Sequence, residues 1–195
     1  MSDFALTTRH LAGTETGHCT ELLYDDGDND AVLVCAAHGG GIEPGTAETA
    51  IDLATDLDEV SCWARLGYDE ESAFDAWHVP STAIEPRDHP LLARIADREF
   101  DAVLSLHGLS DEGVLVGGAT DRDRKRRVAD RLTAAVDVPV EVVDSGPYGG
   151  VSAENVANWL AADGGLQVEA GPSVRNDPAD PVGAVLADLV REWRQ

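Results

Sequence analysis

A single α/β domain spanning residues 1–195, with a mostly parallel mixed β-sheet and helices on both of its faces, is the fold class the sequence predicts. Three observations lead to it. Apolar runs of strand length alternate with segments of helical period, the pattern of a sheet covered on both sides. Two of those runs end in His-Gly, at His38-Gly39 and His107-Gly108, and place polar chemistry beyond the carboxyl ends of strands, where α/β sheets bind ligands. No internal repeat, low-complexity segment or linker divides the 195 residues, a length typical of one domain.

In chain order, AVLVCAA (31–37) reads as a fully buried strand and PGTAETAIDLATDL (44–57) as a helix with Pro44 in its first turn. VSCWARL (60–66) and the short AWHV (76–79) follow as apolar runs of strand length, and HPLLARIADREF (89–100) as a proline-flanked helix. DAVLSLHG (101–108) is the next strand, with GVLVGG (113–118) as its expected partner. RKRRVADRLTAAV (124–136) has helical spacing and VPVEVVD (138–144) that of a strand. SAENVANWLAADGG (152–165) reads as a helix capped by serine and stopped by glycine, before a last strand LQVEAG (166–171). PVGAVLADLVREWRQ (181–195) is an amphipathic helix.

The chain carries 37 acidic against 14 basic residues, a formal net charge of -23, yet 43% of its residues are hydrophobic. That is enough apolar material for a core, so the acid belongs on the surface of a folded domain. The acid is spread along the whole chain and Lys125 is the only lysine, a composition that predicts a halophilic protein, unstable in low salt. Nucleic acid is excluded as a partner, because neutralising phosphates needs a basic footprint. The cluster DRDRKRR (121–127) is interleaved with aspartates and reads as a solvated helix face. MSDFALTTRH (1–10) has no apolar signal region, and no run approaches the ~20 residues of a membrane span. A cytoplasmic monomer with no membrane partner is the expectation. Cys19, Cys35 and Cys62 have spacings of neither a disulfide framework nor a zinc ribbon.

The chemistry gathers after the strands. His38 and His107 each close a strand-like run and His78 lies at the end of AWHV, whereas His10, His18 and His89 fall in polar or terminal stretches. Glycine after the first two removes bulk where a metal or ligand must approach the backbone. Glu43 stands five residues after His38 at a helix entry, and a glycine-rich loop can fold both side chains towards one point. A second strand-end histidine would complete a His, Glu, His set, the three-ligand arrangement that leaves a catalytic zinc an open position. Glu169, a carboxylate in the otherwise apolar run LQVEA, is the candidate general base.

Taken together, HGGGIEPGTAE (38–48), WHVPST (77–82), SLHGLSDEGVLVGGATD (105–121) and ENVANWLAADGGLQVEAGPSVR (154–175) resemble the poly-gamma-glutamate hydrolase family, some of whose members carry a phage-related label. The resemblance implies a zinc carboxypeptidase-like fold and hydrolysis of the gamma-linked amide of poly-gamma-glutamate. It implies that His38, Glu43 and His107 hold Zn2+, that Glu169 is the general base, and that Arg175 binds a substrate carboxylate. It also implies a catalytic or substrate-contacting role for His78, and for Thr46 and Glu48 a supporting role around the metal ligands.

The sequence departs from the family pattern at Asn158-Trp159, where the family commonly has Asn-Arg, and in the acidic segment GYDEESAFDAW (67–77). Three functions stay open. The first is a zinc-dependent amidohydrolase acting on a gamma-glutamyl or similar peptide-like substrate. The second is a deacylase or peptidase of another small acidic or peptidoglycan-type amide on the same site. The third is a non-catalytic metal-binding protein of a phage-related locus. A serine hydrolase is disfavoured, since Ser105, Ser110 and Ser145 lack a GxSxG elbow.

Overall fold

The computed structural model describes residues 5–27 and 30–194. Among these residues eight strands form one mixed sheet: β1 (Ala5–Gly13), β2 (Gly17–Asp25), β3 (Val32–Gly40), β4 (Val60–Asp69), β5 (Ala102–Gly108), β6 (Val114–Gly118), β7 (Val140–Val142) and β8 (Leu166–Ala170). Their order across the sheet is β1-β2-β4-β3-β5-β8-β6-β7. The centre, β4-β3-β5-β8, is parallel throughout; β1, β2 and β6 run against their inner neighbours. Among the described residues six α-helices accompany it: α1 (Thr46–Asp56), α2 (Ala73–Trp77), α3 (Arg122–Ala135), α4 (Val156–Leu160), α5 (Pro172–Arg175) and α6 (Pro181–Trp193).

Alternation along the central strands assigns the two faces. Val32, Val34 and Ala36 of β3 and Leu104 and Leu106 of β5 pack with Ala50, Leu53, Val128, Leu132, Leu186 and Val190, so α1, α3 and α6 cover one face. Leu33 and Cys35 of β3 and Val103 of β5 pack on the opposite face with Leu92, Ile95, Phe100, Val156 and Leu160. Each leucine fully buried in this way contributes about 1.5–3 kcal/mol. On that second face the alternation passes from apolar to polar towards the strand ends: Val103 is followed by Ser105 and His107, and β8 presents Gln167 and Glu169.

Four expectations change. The run GVLVGG does not pair with β5, because β8 inserts between them and takes β5 as a parallel and β6 as an antiparallel neighbour. Segment 89–100 is no helix: the buried Glu21 carboxylate accepts from Leu91 N at 2.8 Å and Leu92 N at 2.6 Å, and those captured amides leave only a 3-10 turn at Leu92–Arg94. AWHV is not extended, because Ser72 caps a short helix by accepting from Asp75 N, and His78 closes α2. The cap of α4 is Asn155, whose side chain accepts from Ala157 N, and the helix is one turn long.

The hairpin β1-β2 was not anticipated from the sequence. Its edge strand is largely exposed and so lacks a buried period, and only the Gly13-to-Gly17 turn, with Thr14 N donating to Gly17 O, marks it. Among the described residues no helix is long and apolar enough to cross a membrane. The three cysteines are free and buried.

Candidate metal centre

Strands β3, β5 and β8 are adjacent and parallel, so their carboxyl ends open on one edge of the sheet. His38 lies near the end of β3, where the register with β4 shifts between Ala36 and Gly39. Gly40, at φ 68, takes the left-handed conformation that turns the chain out of the strand. Glu43 N donates to His38 O at 2.8 Å, Thr46 Oγ1 to Glu43 O at 2.8 Å, and Gly45 N to Glu48 Oε2 at 3.1 Å. These bonds close a tight turn that aims Glu43 back at His38, with Thr46 and Glu48 as its supports. His107 and Glu169 are direct register partners on β5 and β8.

The result is a small polar triangle. His38 Nδ1 lies 3.1 Å from His107 Nδ1 and 3.1 Å from Glu43 Oε1, and His107 Nδ1 is 3.7 Å from Glu43 Oε2. Tetrahedral ligands about 2.0–2.1 Å from a zinc ion stand about 3.3 Å apart, close to these separations, which reach Glu43 through its two different oxygens. The outward nitrogens are already engaged, His38 Nε2 with Val79 O at 2.7 Å and His107 Nε2 with Ser105 Oγ at 2.9 Å. Donation from His38 Nε2 to that carbonyl places its proton on the far side and leaves the Nδ1 lone pair facing the triangle, as metal-ligating histidines require. The donor set, two imidazole nitrogens and a carboxylate, suits zinc, and the residues fit such an ion. His78 also offers a nitrogen to this group, within 4.8 Å of ligand atoms on His38 and Glu43. The structure thus sets two histidines beside His38 and Glu43: His107, its Nδ1 3.1 Å from His38 Nδ1, and His78 on the cleft wall.

Burial opposes ionisation of Glu43, but in the metal-free site the hydrogen bonds and positive charge that His107 and His38 supply when they carry a proton towards it outweigh burial and hold the carboxyl well below the usual carboxylate range. Glu169 goes the other way: burial, and then the negative Glu43, push it up to about 8. Burial and then the nearby His38 also lower the pKa of His78. Two acids of one site thus have their protonation pushed apart, the pattern that separates a ligand from a proton carrier.

The triangle and Glu169 form the floor of an open cleft of about 460 Å³. One wall carries His78, stacked on Phe74 with ring centroids 4.3 Å apart, and Ser81 and Thr82; the other carries Ser110, Tyr148 and Ser152. His38, Glu43, His78, His107 and Glu169 are therefore brought together. Arg175 is not among the residues lining the cleft. It lies behind Gly108, where a Cβ would fall 1.3 Å from the Arg175 guanidinium, and lines a separate small cavity with Thr46 and Asp180.

Sequence reading missed Gln167 and Asn155. Gln167 Nε2 donates to Glu169 Oε1 at 2.8 Å and to Tyr148 O at 3.3 Å, while its Oε1 accepts from Asn155 Nδ2 at 3.2 Å. The available signal was the polar alternation Gln167, Glu169 within an apolar strand. Asn158 is structural: buried, it donates to Gly150 O and Ser152 O, both at 2.7 Å, and accepts from Ala119 N and Gly165 N.

A family model described as poly-gamma-glutamate hydrolase matches residues 10–178. UPF0714 protein YndL of Bacillus subtilis (strain 168) is 36% identical over 141 residues, covering 71% of this chain and 52% of that protein. The chain spans about half the length of the curated relatives it matches. A solved structure described as YNDL-apo (Zinc-free) aligns with a TM-score of 0.71 at 26% identity, covering 97% of this chain and 90% of the other. A bacteriophage poly-gamma-glutamate hydrolase aligns at 0.67 and 20% identity, over 99% of this chain and 89% of its own. A candidate metallopeptidase from Shewanella denitrificans OS217 aligns at 0.55 and 15% identity, over 97% and 82%. The last two likenesses are of fold, and the fold is the zinc carboxypeptidase-like one that the sequence motifs implied.

Proposed function

The chain belongs to the poly-gamma-glutamate hydrolase family, and from that premise we propose that it is a zinc-dependent hydrolase of gamma-glutamyl, peptide-like amide bonds. One observation carries the reading: His38 Nδ1 and His107 Nδ1 stand 3.1 Å apart and lie 3.1 and 3.7 Å from the two carboxylate oxygens of Glu43, with Glu169 on the neighbouring strand in register with His107. That YndL is described in a zinc-free apo form supports zinc as the metal.

When bound, zinc supplies Lewis acidity towards an amide carbonyl and towards water. The chain's own residues do the rest. Glu169 takes the proton of the attacking water and returns it to the departing nitrogen. Its Oε1 is occupied by the Gln167 amide, so Oε2 is the oxygen left to carry the proton. Because burial and Glu43 raise its pKa to about 8, Glu169 needs positive charge close by to act as a base near neutrality. His78, on the cleft wall and stacked on Phe74, is placed to donate to the oxygen on which charge develops.

The test is elemental analysis of the purified chain beside hydrolysis of gamma-glutamyl amides before and after chelation. About one zinc per chain, and activity lost on chelation and regained with zinc, is the expected result. Hydrolysis indifferent to chelation would overturn the reading.

A further inference from the structure

We propose that Phe74 and Tyr148 are a substrate-binding pair, and that they recognise the methylene carbons of a gamma-linked main chain. The inference rests on the hydrolase reading above and adds what reads the linkage.

The two rings come from opposite sides of the site. In the sheet, β3, β5 and β8 lie between β4 and β7. Helix α2, which carries Phe74, follows β4, and the loop that carries Tyr148 follows β7. Both residues line the cleft, and both are left open to solvent, Phe74 at 50% and Tyr148 at 42%. A lone exposed aromatic is ordinary on a protein surface. Two that line one cleft with the catalytic groups, each on a backbone already pinned, form a binding surface organised before any ligand arrives.

The pinning differs on the two walls. Glycines dock the Tyr148 loop on β6: Gly118 N donates to Gly149 O at 2.8 Å, and a Cβ on Gly117 would fall 2.9 Å from Tyr148 O. Tyr148 O also accepts from Gln167 Nε2 at 3.3 Å, the amide that holds Glu169. On the other wall Ser72 caps α2, and His78 N donates to Phe74 O at 2.9 Å. The Phe74 ring stacks on His78, whose own ring lies against His38 with centroids 4.3 Å apart. One residue therefore separates each ring from the reacting groups: Gln167 between Tyr148 and Glu169, His78 between Phe74 and His38. A chain whose scissile amide lies on the floor runs its flanking atoms along these walls.

The chemistry of the linkage supplies the complement. A gamma-linked glutamate carries two methylenes in the main chain between its amide carbonyl and its α-carbon, whereas an alpha-linked one carries none there. Those methylenes recur at every residue, in line with the amide that reacts. Laid against an aromatic ring they leave water, a gain in proportion to the apolar area covered. In an alpha-linked chain the same carbons stand off in the side chain, out of line with the scissile bond.

The zinc-loaded full chain and its variants, each shown folded by circular dichroism, are assayed on a gamma-linked glutamate tetramer, with the alpha-linked tetramer as competitor. Tyr148→Ala should raise KM about three- to tenfold and leave kcat and zinc content near wild type. Tyr148→Phe should keep the wild-type KM, because the ring and not the hydroxyl makes the contact. Phe74→Ala should raise KM similarly and also lower kcat, because it unstacks His78, whereas Phe74→Tyr should behave as wild type. The alpha-linked tetramer should have an inhibition constant at least about tenfold above the KM of the gamma-linked one. An unchanged KM in Tyr148→Ala or Phe74→Ala, or an alpha-linked tetramer that competes equally well, would overturn the inference and leave the hydrolase reading intact. No cleavage of the gamma-linked tetramer by zinc-loaded wild type would overturn the hydrolase reading, and this inference with it.

Discussion

His38 and His107 face one another with their Nδ1 atoms 3.1 Å apart while each Nε2 is held from outside, by Val79 O and Ser105 Oγ respectively. Two imidazoles oriented in this way share either a proton or a cation. The carboxylate of Glu43 completing the triangle, itself fixed by Gly108 N at 2.8 Å, favours the cation.

Loss of either imidazole should therefore abolish metal binding. His38→Ala and His107→Ala are expected to fall from about one zinc per chain to none, whereas His78→Ala keeps its zinc and loses activity. Elemental analysis with a parallel amidase assay separates the two classes, and a His78→Ala protein without metal would make His78 the third ligand in place of His107.

Glu169→Gln should retain zinc and lose about 10²–10⁴-fold in kcat. The same variant carries a stability signature in the metal-free protein. The folded-state pKa of about 8 lies above the ordinary value of 4.5, so the folded state holds its proton longer than the unfolded one. Wild-type stability from this group is full below about pH 4.5 and is lost as pH rises towards 8. Metal-free Glu169→Gln should then be more stable than metal-free wild type by roughly 2–4 kcal/mol at pH 8, and about equal to it at pH 4. Denaturant titrations at the two pH values decide; a variant less stable at pH 8 would contradict the burial argument.

Gln167 holds the base rather than touching the reaction. Its amide bridges Glu169 to Asn155 and to the Tyr148 carbonyl, and so fixes which oxygen of Glu169 is free. Gln167→Ala should lower kcat about 10–100-fold with KM and zinc content little changed. Loss confined to KM would point instead to a substrate contact.

Glu21 is fully buried and accepts from Trp63 Nε1, Leu91 N and Leu92 N at 2.8, 2.8 and 2.6 Å. Glu21→Ala leaves three buried donors without an acceptor and should cost about 3 kcal/mol or more. The segment behind the His78 wall would loosen first, and hydrogen exchange at Leu91 and Leu92 would show it. Unchanged protection there would mean that the turn holds itself.

Much of this molecule was legible as a string. The strand runs of β3, β5 and β8 have continuous apolar stretches, and each carries its chemistry, His38, His107 and Glu169, near its carboxyl end. Elements set by local periodicity or a run of buried residues could be read directly. Those set by a distant partner could not: Glu21 on β2 decides the path of segment 89–100, seventy residues away in sequence.

The sequence by itself determined the residue types of the site, their positions at strand ends, and the alternation that builds a two-faced α/β core. Only the tertiary structure brings His107 to within 3.1 Å of His38, because that depends on β3 and β5 being neighbours with a common direction. Only it placed Arg175 behind Gly108 and out of the cleft lining, and revealed the Asn155 and Gln167 amides behind Glu169. The physical reason is range. Side-chain period and turn chemistry act over a few residues, whereas a metal triangle and the charge of a cleft are fixed by contacts across the sheet.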